Sequence, residues 1–412
     1  MKPKLRDVRV QPVVQGARRG VVLSDPLDIG RGALFVPADL APLLTLMDGT
    51  RDLGALRCGF ELRCASALSG SVVEQVVSQL DQALLLENER FASAYESALV
   101  EYRSARSRAP SLSGRSYPAA AAELSDFLQH CFGSVDREVS EGLSSVRGLV
   151  SPHIDFQRGG RTYARVWAEA AAAVAEADLV VILGTDHNEG EGRITLTRQD
   201  YETPWGLIPT AEEVVQELVE AIGDGAFACE LNHRSEHSIE SALVWLHYLK
   251  GDRPCALVPI LCGSFQRFIE RGESPSTAAR IASTVRVLRG VCERRGAIIV
   301  AAADLAHMGP AFGDPFPLGL GGRAAMARQD EELMGAICSG DAEAFYARIA
   351  EEGDRRHVCG VPPIYVALSV LSGAVGTALC YEQCPASDDG SSLVSICGVL
   401  YRGTGTPSDG CL

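Results

Sequence analysis

The chain has 412 residues, more than one domain of ordinary size usually holds, so two units are expected. Hydrophobic residues at 46% and charged residues at 22% provide for a sizeable core and exclude general disorder. A net charge of −15 repels phosphate backbones, which argues against nucleic acid as a partner and leaves solubility as the plain role of the charge.

The N-terminus MKPKLRDVRV has basic residues with no apolar run behind them, and no stretch approaches the roughly 18 apolar residues of a membrane span. Thirteen cysteines occur without CxxC pairs, the pattern of reduced intracellular thiols. We therefore expect a cytoplasmic protein with no membrane association.

Leu43, Leu44, Leu46 and Met47 lead into the turn signal Asp48-Gly49-Thr50-Arg51, after which Leu53 and Leu56 resume a helical spacing. From Val72 onward, Val73, Val76, Val77, Leu80 and Leu84 recur at the i, i+3, i+4, i+7 spacing, which predicts an amphipathic helix ending near Leu86. Three short helices and a two-stranded wing, from 87–91 and the 21–35 region, would make a winged-helix domain over residues 1–102. The order "LLTLMDGTRDLGAL" then "VVEQVVSQLDQALLLEN" resembles the PqqD-like family, small winged helices that bind peptide segments. That resemblance implies a peptide partner for this domain. Its charges are roughly balanced and it has no basic recognition helix, which argues against DNA. Residues 103–120, RSARSRAPSLSGRSYPAA, have the composition of a linker.

In residues 121–405, short apolar runs at 148–150, 179–183, 256–261, 298–303 and 394–401 read as strands. Helical patterns lie between them at 163–177, 211–222, 238–249 and 278–292. This alternation predicts an α/β layered domain with a largely parallel or mixed central sheet.

The chain has only eight histidines. His153 in "GLVSPHIDF", His187 in "LVVILGTDH" and His307 in "IIVAAADLAH" each follow a predicted strand. Loops leaving the C-terminal ends of parallel strands line the ligand crevice of such sheets, so these imidazoles are expected to converge. Together they suit iron, copper or zinc. His237 opens the helix of "LNHRSEHSIESALVWL", where the helix dipole disfavours an imidazolium and suits a base or a ligand. Glu236, Asp186 and Asp304 offer carboxylates that ligate a metal or fix an imidazole tautomer. His130, His233, His247 and His357 fit no such pattern. Tyr201, Trp205 and Cys359, in "YETPWG" and "CGVPP", are expected to shape and pack loops, with Cys359 read as a structural thiol.

Taken in order, "SPHIDFQRGGRTYA", "VVILGTDHNEG", "YETPWGLIPT", "SEHSIESALVWL", "LVPILCGSF", "AAADLAHMG" and "VCGVPPIYVAL" resemble the Memo family, including bacterial proteins called AmmeMemoRadiSam system protein B. The resemblance covers about residues 146–402. It implies a fold similar to class III extradiol dioxygenases, in which two histidines and a carboxylate hold non-haem iron while a further histidine works as acid/base. By that resemblance His153 and His187 are metal ligands, and His237 is the acid/base or an additional ligand. In animal Memo proteins a cysteine completes the site, in a motif that reads here Asp304-Leu305-Ala306-His307. Ala306 cannot ligate, which leaves Asp304, Glu236, His237 or His307 to complete the set.

The candidates are thus His153, His187, Glu236 and Asp304 as ligands of iron, with copper or zinc as alternatives, and His237 and His307 as proton-transfer residues. Two functions follow. One is an oxidation or dioxygenase-like activity on a small molecule or peptide. The other is a non-catalytic partner or scaffold for a radical S-adenosylmethionine enzyme and an AMMECR-like protein, an association recorded in the bacterial family's name. A zinc hydrolase finds neither an HExxH helix nor a GxSxG elbow here.

Overall fold

In the computed structural model, residues 2–15, 18–30, 32–135, 146–188 and 191–403 are described, and the chain divides into Met1–Ala105 and Arg106–Leu412. The first unit begins with three antiparallel strands, β1 (Arg9–Gln15), β2 (Arg18–Ser24) and β3 (Ala33–Pro37), in the order β1-β2-β3. Four helices follow: α1 (Ala41–Leu44), α2 (Leu53–Cys64), α3 (Gly70–Gln82) and α4 (Glu89–Ser104). Leu23 and Val36 from the strands share one core with Leu43, Leu56, Phe60, Val73, Val77 and Leu80 from the helices.

Polar residues punctuate this unit. Asp52, Ser69 and Asn88 accept the N–H groups of Ala55, Val72 and Phe91, capping α2, α3 and α4. The periodic run is α3, but it stops at Gln82, because Leu84 adopts φ 59° and turns Leu85 and Leu86 back into the core. The expected wing also differs. Residues 87–91 are the cap and first turn of α4 instead of a strand, since Asn88 is a strong N-cap and Glu89 favours a helix start. The 21–35 region does pair, through β2 and β3, with β1 as a third strand.

The expected linker is not free chain. Arg108 donates its backbone N–H to Asp200 O at 2.7 Å, accepts that of Glu202 at 3.0 Å, and buries its side chain against Glu240. Composition misled because arginine is ordinarily solvated, and the partner that permits its burial lies far along the sequence.

The second unit is an eight-stranded mixed sheet between two helical layers. Its elements are α5 (Ala121–Gly133), β4 (Val146–Ser151), α6 (Phe156–Glu176), β5 (Leu179–Asp186), β6 (Ile194–Leu196), the hairpin β7 (Tyr201–Thr203) and β8 (Gly206–Ile208), and α7 (Glu212–Ile222). There follow α8 (Ser238–Lys250), β9 (Ala256–Gly263), α9 (Gln266–Arg271), α10 (Ala279–Arg295), β10 (Ile298–Ala302) and β11 (His307–Met308). The chain ends through α11 (Leu320–Ser339), α12 (Ala342–Glu352), α13 (Val361–Val370), β12 (Val375–Pro385) and β13 (Leu393–Arg402).

Strand order is β11-β13-β4-β10-β5-β9-β6, with β12 paired to β13. The central β4, β10, β5 and β9 are parallel, and β13 and β6 add antiparallel edges. Successive side chains go to opposite layers. Leu149, Val180, Ile182 and Val300 share a core with α5, α6 and α8, whereas Val150, Val181, Leu183 and Ala301 share one with α7, α10, α11 and α13. Covered on both faces, β5 is buried at every position and reads as an apolar run over its first five residues, Leu179 to Leu183. No helix among the described residues is long and apolar enough to cross a membrane.

Candidate metal centre

The register sets the site. Ala302 of β10 pairs with Ser151 of β4 on one side and Gly184 of β5 on the other, so β4 and β10 end level and the adjacent parallel β5 runs two residues further, to Asp186. The loops that leave them carry His153, Asp304 and His187 to one sheet edge. Two close approaches bring the remaining groups. A Cβ on Gly184 would lie 2.5 Å from Ser238 Oγ and 2.7 Å from Ile239 Cγ1, so only glycine lets the first turn of α8 seat on β5. That contact delivers His237, the N-cap residue of α8, beside His187. A Cβ on Gly360 would lie 2.4 Å from Asp304 O, so the chain bearing Cys359 closes against the end of β10 in the same way.

One ring nitrogen from each of His153, His187 and His237 lies within 4.8 Å of the others. The ring centroids are 5.1 Å apart for His153 and His187, 5.3 Å for His153 and His237, and 4.8 Å for His187 and His237. Each ring is held from behind by an oxygen. His153 Nδ1 lies 3.0 Å from Ala302 O, an atom that only accepts, so Nδ1 carries the proton. The Glu236 carboxylate lies 3.0 Å from Nδ1 of both His187 and His237. All three Nε2 atoms are therefore the ones left for a cation.

Glu236 is buried and also accepts the backbone N–H groups of His187, His237 and Ser238. Burial alone would keep it protonated, but the two imidazoles hold its carboxyl well below the usual range. Cys359 Sγ lies 3.2 Å from His153 Nε2. Burial pushes that thiol up, yet His153 and His307 bring it well below the ordinary cysteine value. Against the desolvation of its own burial, His153 is raised to about 9 by Asp304 and Cys359, and His187 is likewise raised well above its usual value by Glu236 and Cys359.

The shifts of His153 and His187 upward and of Glu236 and Cys359 downward all favour positive charge on the rings beside negative charge on the carboxyl and the thiol. A divalent cation would supply such positive charge. Three imidazole nitrogens form a donor set suited to iron, copper or zinc, and Cys359 Sγ lies beside the His153 ring, outside that group of three. The residues present thus fit a metal.

The other expected residues stand nearby in different positions. Asp304 accepts the N–H of His153 at 2.8 Å and of Ile154 at 3.3 Å, and its second oxygen is 3.7 Å from His153 Nε2. It holds the strand-end loop, outside the group of three rings. Glu236 sits behind two of the rings. His307 bonds Leu305 O through Nδ1 at 3.1 Å, meets Phe312 edge-on at 5.0 Å, and lines the same cleft without joining the group. That cleft encloses about 700 Å³ and is lined also by Ser116, Arg158 and His357.

Asp186 is spent on Asn232 Nδ2 at 2.8 Å and on the N–H of Asn188. Tyr201 bonds His233 at 2.7 Å and Trp205 bonds Ser125 at 3.1 Å, so both pack instead of walling the cleft. Burial depresses His233 to about 3, which leaves it a neutral structural imidazole. Cys359, a thiol expected to be structural, lines the same cleft and lies against the His153 ring. Its signal in the sequence was the Cys-Gly pair immediately before Val361 and the two prolines that open α13.

Residues 108–400 match the family described as Memo-like protein. A MEMO1 family protein of Aquifex aeolicus (strain VF5) is 28% identical over 371 residues, covering 90% of this chain and 91% of the relative. That span is longer than the second unit alone, so it reaches into the first. A MEMO1 family protein of Methanosarcina mazei is 27% identical over 300 residues, which cover 72% of this chain and 99% of the relative. One from Thermotoga neapolitana is 31% identical over 210 residues, 48% of this chain and 70% of the relative. With one family spanning most of the second unit and relatives of the same name along most of their own length, the chain belongs to the Memo-like family.

Proposed function

We propose that the second unit is a metal-dependent redox protein that holds one iron or copper ion with His153, His187, His237 and Cys359 and acts on a small molecule or peptide in the adjoining cleft. The observation that carries this reading is the common orientation of three imidazoles, each with Nδ1 spent on an oxygen and Nε2 left for a cation. A bound iron or copper ion supplies one-electron chemistry toward dioxygen or a bound substrate. In this reading His237 is a ligand instead of the acid/base.

The chain's own groups do the rest. Glu236 fixes the tautomers of two rings, and Asp304 fixes the loop of the third. His307, with Nδ1 held by Leu305 O, keeps Nε2 to take or give a proton in the cleft. Ile154, Phe312 and Val394 give one wall an apolar surface on which a substrate displaces water.

Metal content by mass spectrometry tests the proposal, on untagged protein purified anaerobically, wild type beside a His153→Ala, His187→Ala double variant. Near-stoichiometric iron or copper in the wild type alone is the expected result. Absence of metal from the wild type even after reconstitution overturns it, and stoichiometric zinc overturns the redox assignment while keeping the site.

A further inference from the structure

A second buried polar network lies behind the centre. Arg108 and Glu240 are an ion pair whose side chains are both 0% exposed. The guanidinium also donates from Nε to His233 O at 2.9 Å and from Nη2 to Glu236 O at 2.7 Å. Glu240 in turn accepts the N–H of Ser111 and of Leu112, each at 2.8 Å, the Ser111 hydroxyl at 2.9 Å and the Tyr117 hydroxyl at 2.6 Å. Residues 108–117 thus form a strap bonded to α8 and to the chain just before it.

The placement of those bonds matters more than their number. Glu236 O precedes α8, where the first backbone bond within the helix is from Ser241 N–H to His237 O. A buried carbonyl in that position has no helical partner and needs a donor from elsewhere. Arg108 supplies it. The same guanidinium grips residue 233 before the site and, through Glu240, the first turn of α8 after it. The backbone between them carries Glu236 and His237. A planar fork with several donors can hold two carbonyls and a carboxylate at once, which a lysine ammonium does with poorer geometry.

We infer that Arg108 is a positioning residue: with Glu240 it fixes the backbone of residues 233–237, and so sets where the Glu236 carboxylate presents His187 and His237 to the centre. This rests on the reading that the three histidines hold a metal, and it adds that the site requires a segment whose composition is that of a linker. Removing such outer support from a ligand typically costs about 10–100-fold in metal affinity.

The test uses the full chain, with cobalt(II) alone as the probe and selective nitrogen-15 labelling of histidine. Arg108→Lys is expected to bind cobalt(II) about 10–100-fold more weakly than wild type. In the metal-free protein it is expected to shift the ring-nitrogen signals of His187 and His237 while leaving that of His247 in place. Unchanged affinity and unchanged ring signals overturn the inference, including the case in which only the thermal unfolding midpoint falls, since that is what a purely structural ion pair gives.

If Arg108→Lys does not fold, Tyr117→Phe removes one donor to Glu240 and is read the same way, with a several-fold loss of affinity expected and no loss overturning the proposal. Wild type that binds no cobalt(II) sinks the metal reading, and the ring signals alone then decide: moved at His187 and His237 they support the positioning role, unmoved they end it.

Discussion

Each imidazole at the centre owes its available lone pair to an oxygen behind it, and Glu236 serves two rings at once. Glu236→Gln replaces one accepting oxygen by a donating NH₂ group, so at least one ring loses its partner and its tautomer is no longer fixed. We expect metal affinity to fall about 10–100-fold, read by titration against a competing chelator. Protons and metal compete for the same nitrogens. His153 has its folded pKa raised from 6.5 to about 9, so in the metal-free protein its protonation adds stability that is complete below 6.5 and is lost as pH rises through about 9. Metal binding has the opposite sign. Affinity should climb over that window, by up to about tenfold per pH unit for each proton displaced. A flat profile between pH 6.5 and 9 would show that His153 is already neutral. His153, His187 and His307 were legible because strand ends are recognisable, and His237 with Glu236 because they open a helix. Cys359 was not legible as a neighbour of the site, because the ring it lies against is His153, 206 residues away.

At the scale of elements, the parallel strands were the most readable part of the chain, since burial on both faces demands an unbroken apolar run. The amphipathic α6 and α7 announced themselves similarly by their spacing. By contrast α11 buries only Met326, Asp330, Leu333 and Ile337 along its twenty residues, one of them an aspartate, and β12 is mostly half-buried with no alternation, so both were hard to read. Junctions between elements depended on close approach, which a sequence shows only as glycine. Gly184 is the decisive one, since α8 reaches β5 only across its missing side chain. Gly184→Ala should cost about 1–3 kcal/mol in a denaturant melt, as overpacking does, and it should also weaken metal binding by pushing His237 away from His187. A stability loss with unchanged affinity would mean that the first turn of α8 moves without taking the ligand with it.

At the scale of the molecule, the two units close separate cores, and every residue assigned to the centre or to its support lies in Arg106–Leu412. The relatives divide in the same way. The Aquifex aeolicus protein is matched over a length that reaches into the first unit, whereas the Methanosarcina mazei protein is covered along 99% of its length by 72% of this chain, an extent that the second unit can supply alone. A fragment of residues 106–412 should therefore fold, melt in one cooperative transition and bind cobalt(II) with the affinity of the full chain. The cut must fall before Arg108, because the strap that composition presents as linker holds Glu236 O and His233 O in place. A fragment that starts after Tyr117 should bind metal more weakly even where it folds. If both fragments bound equally well, the strap would have no part in the centre.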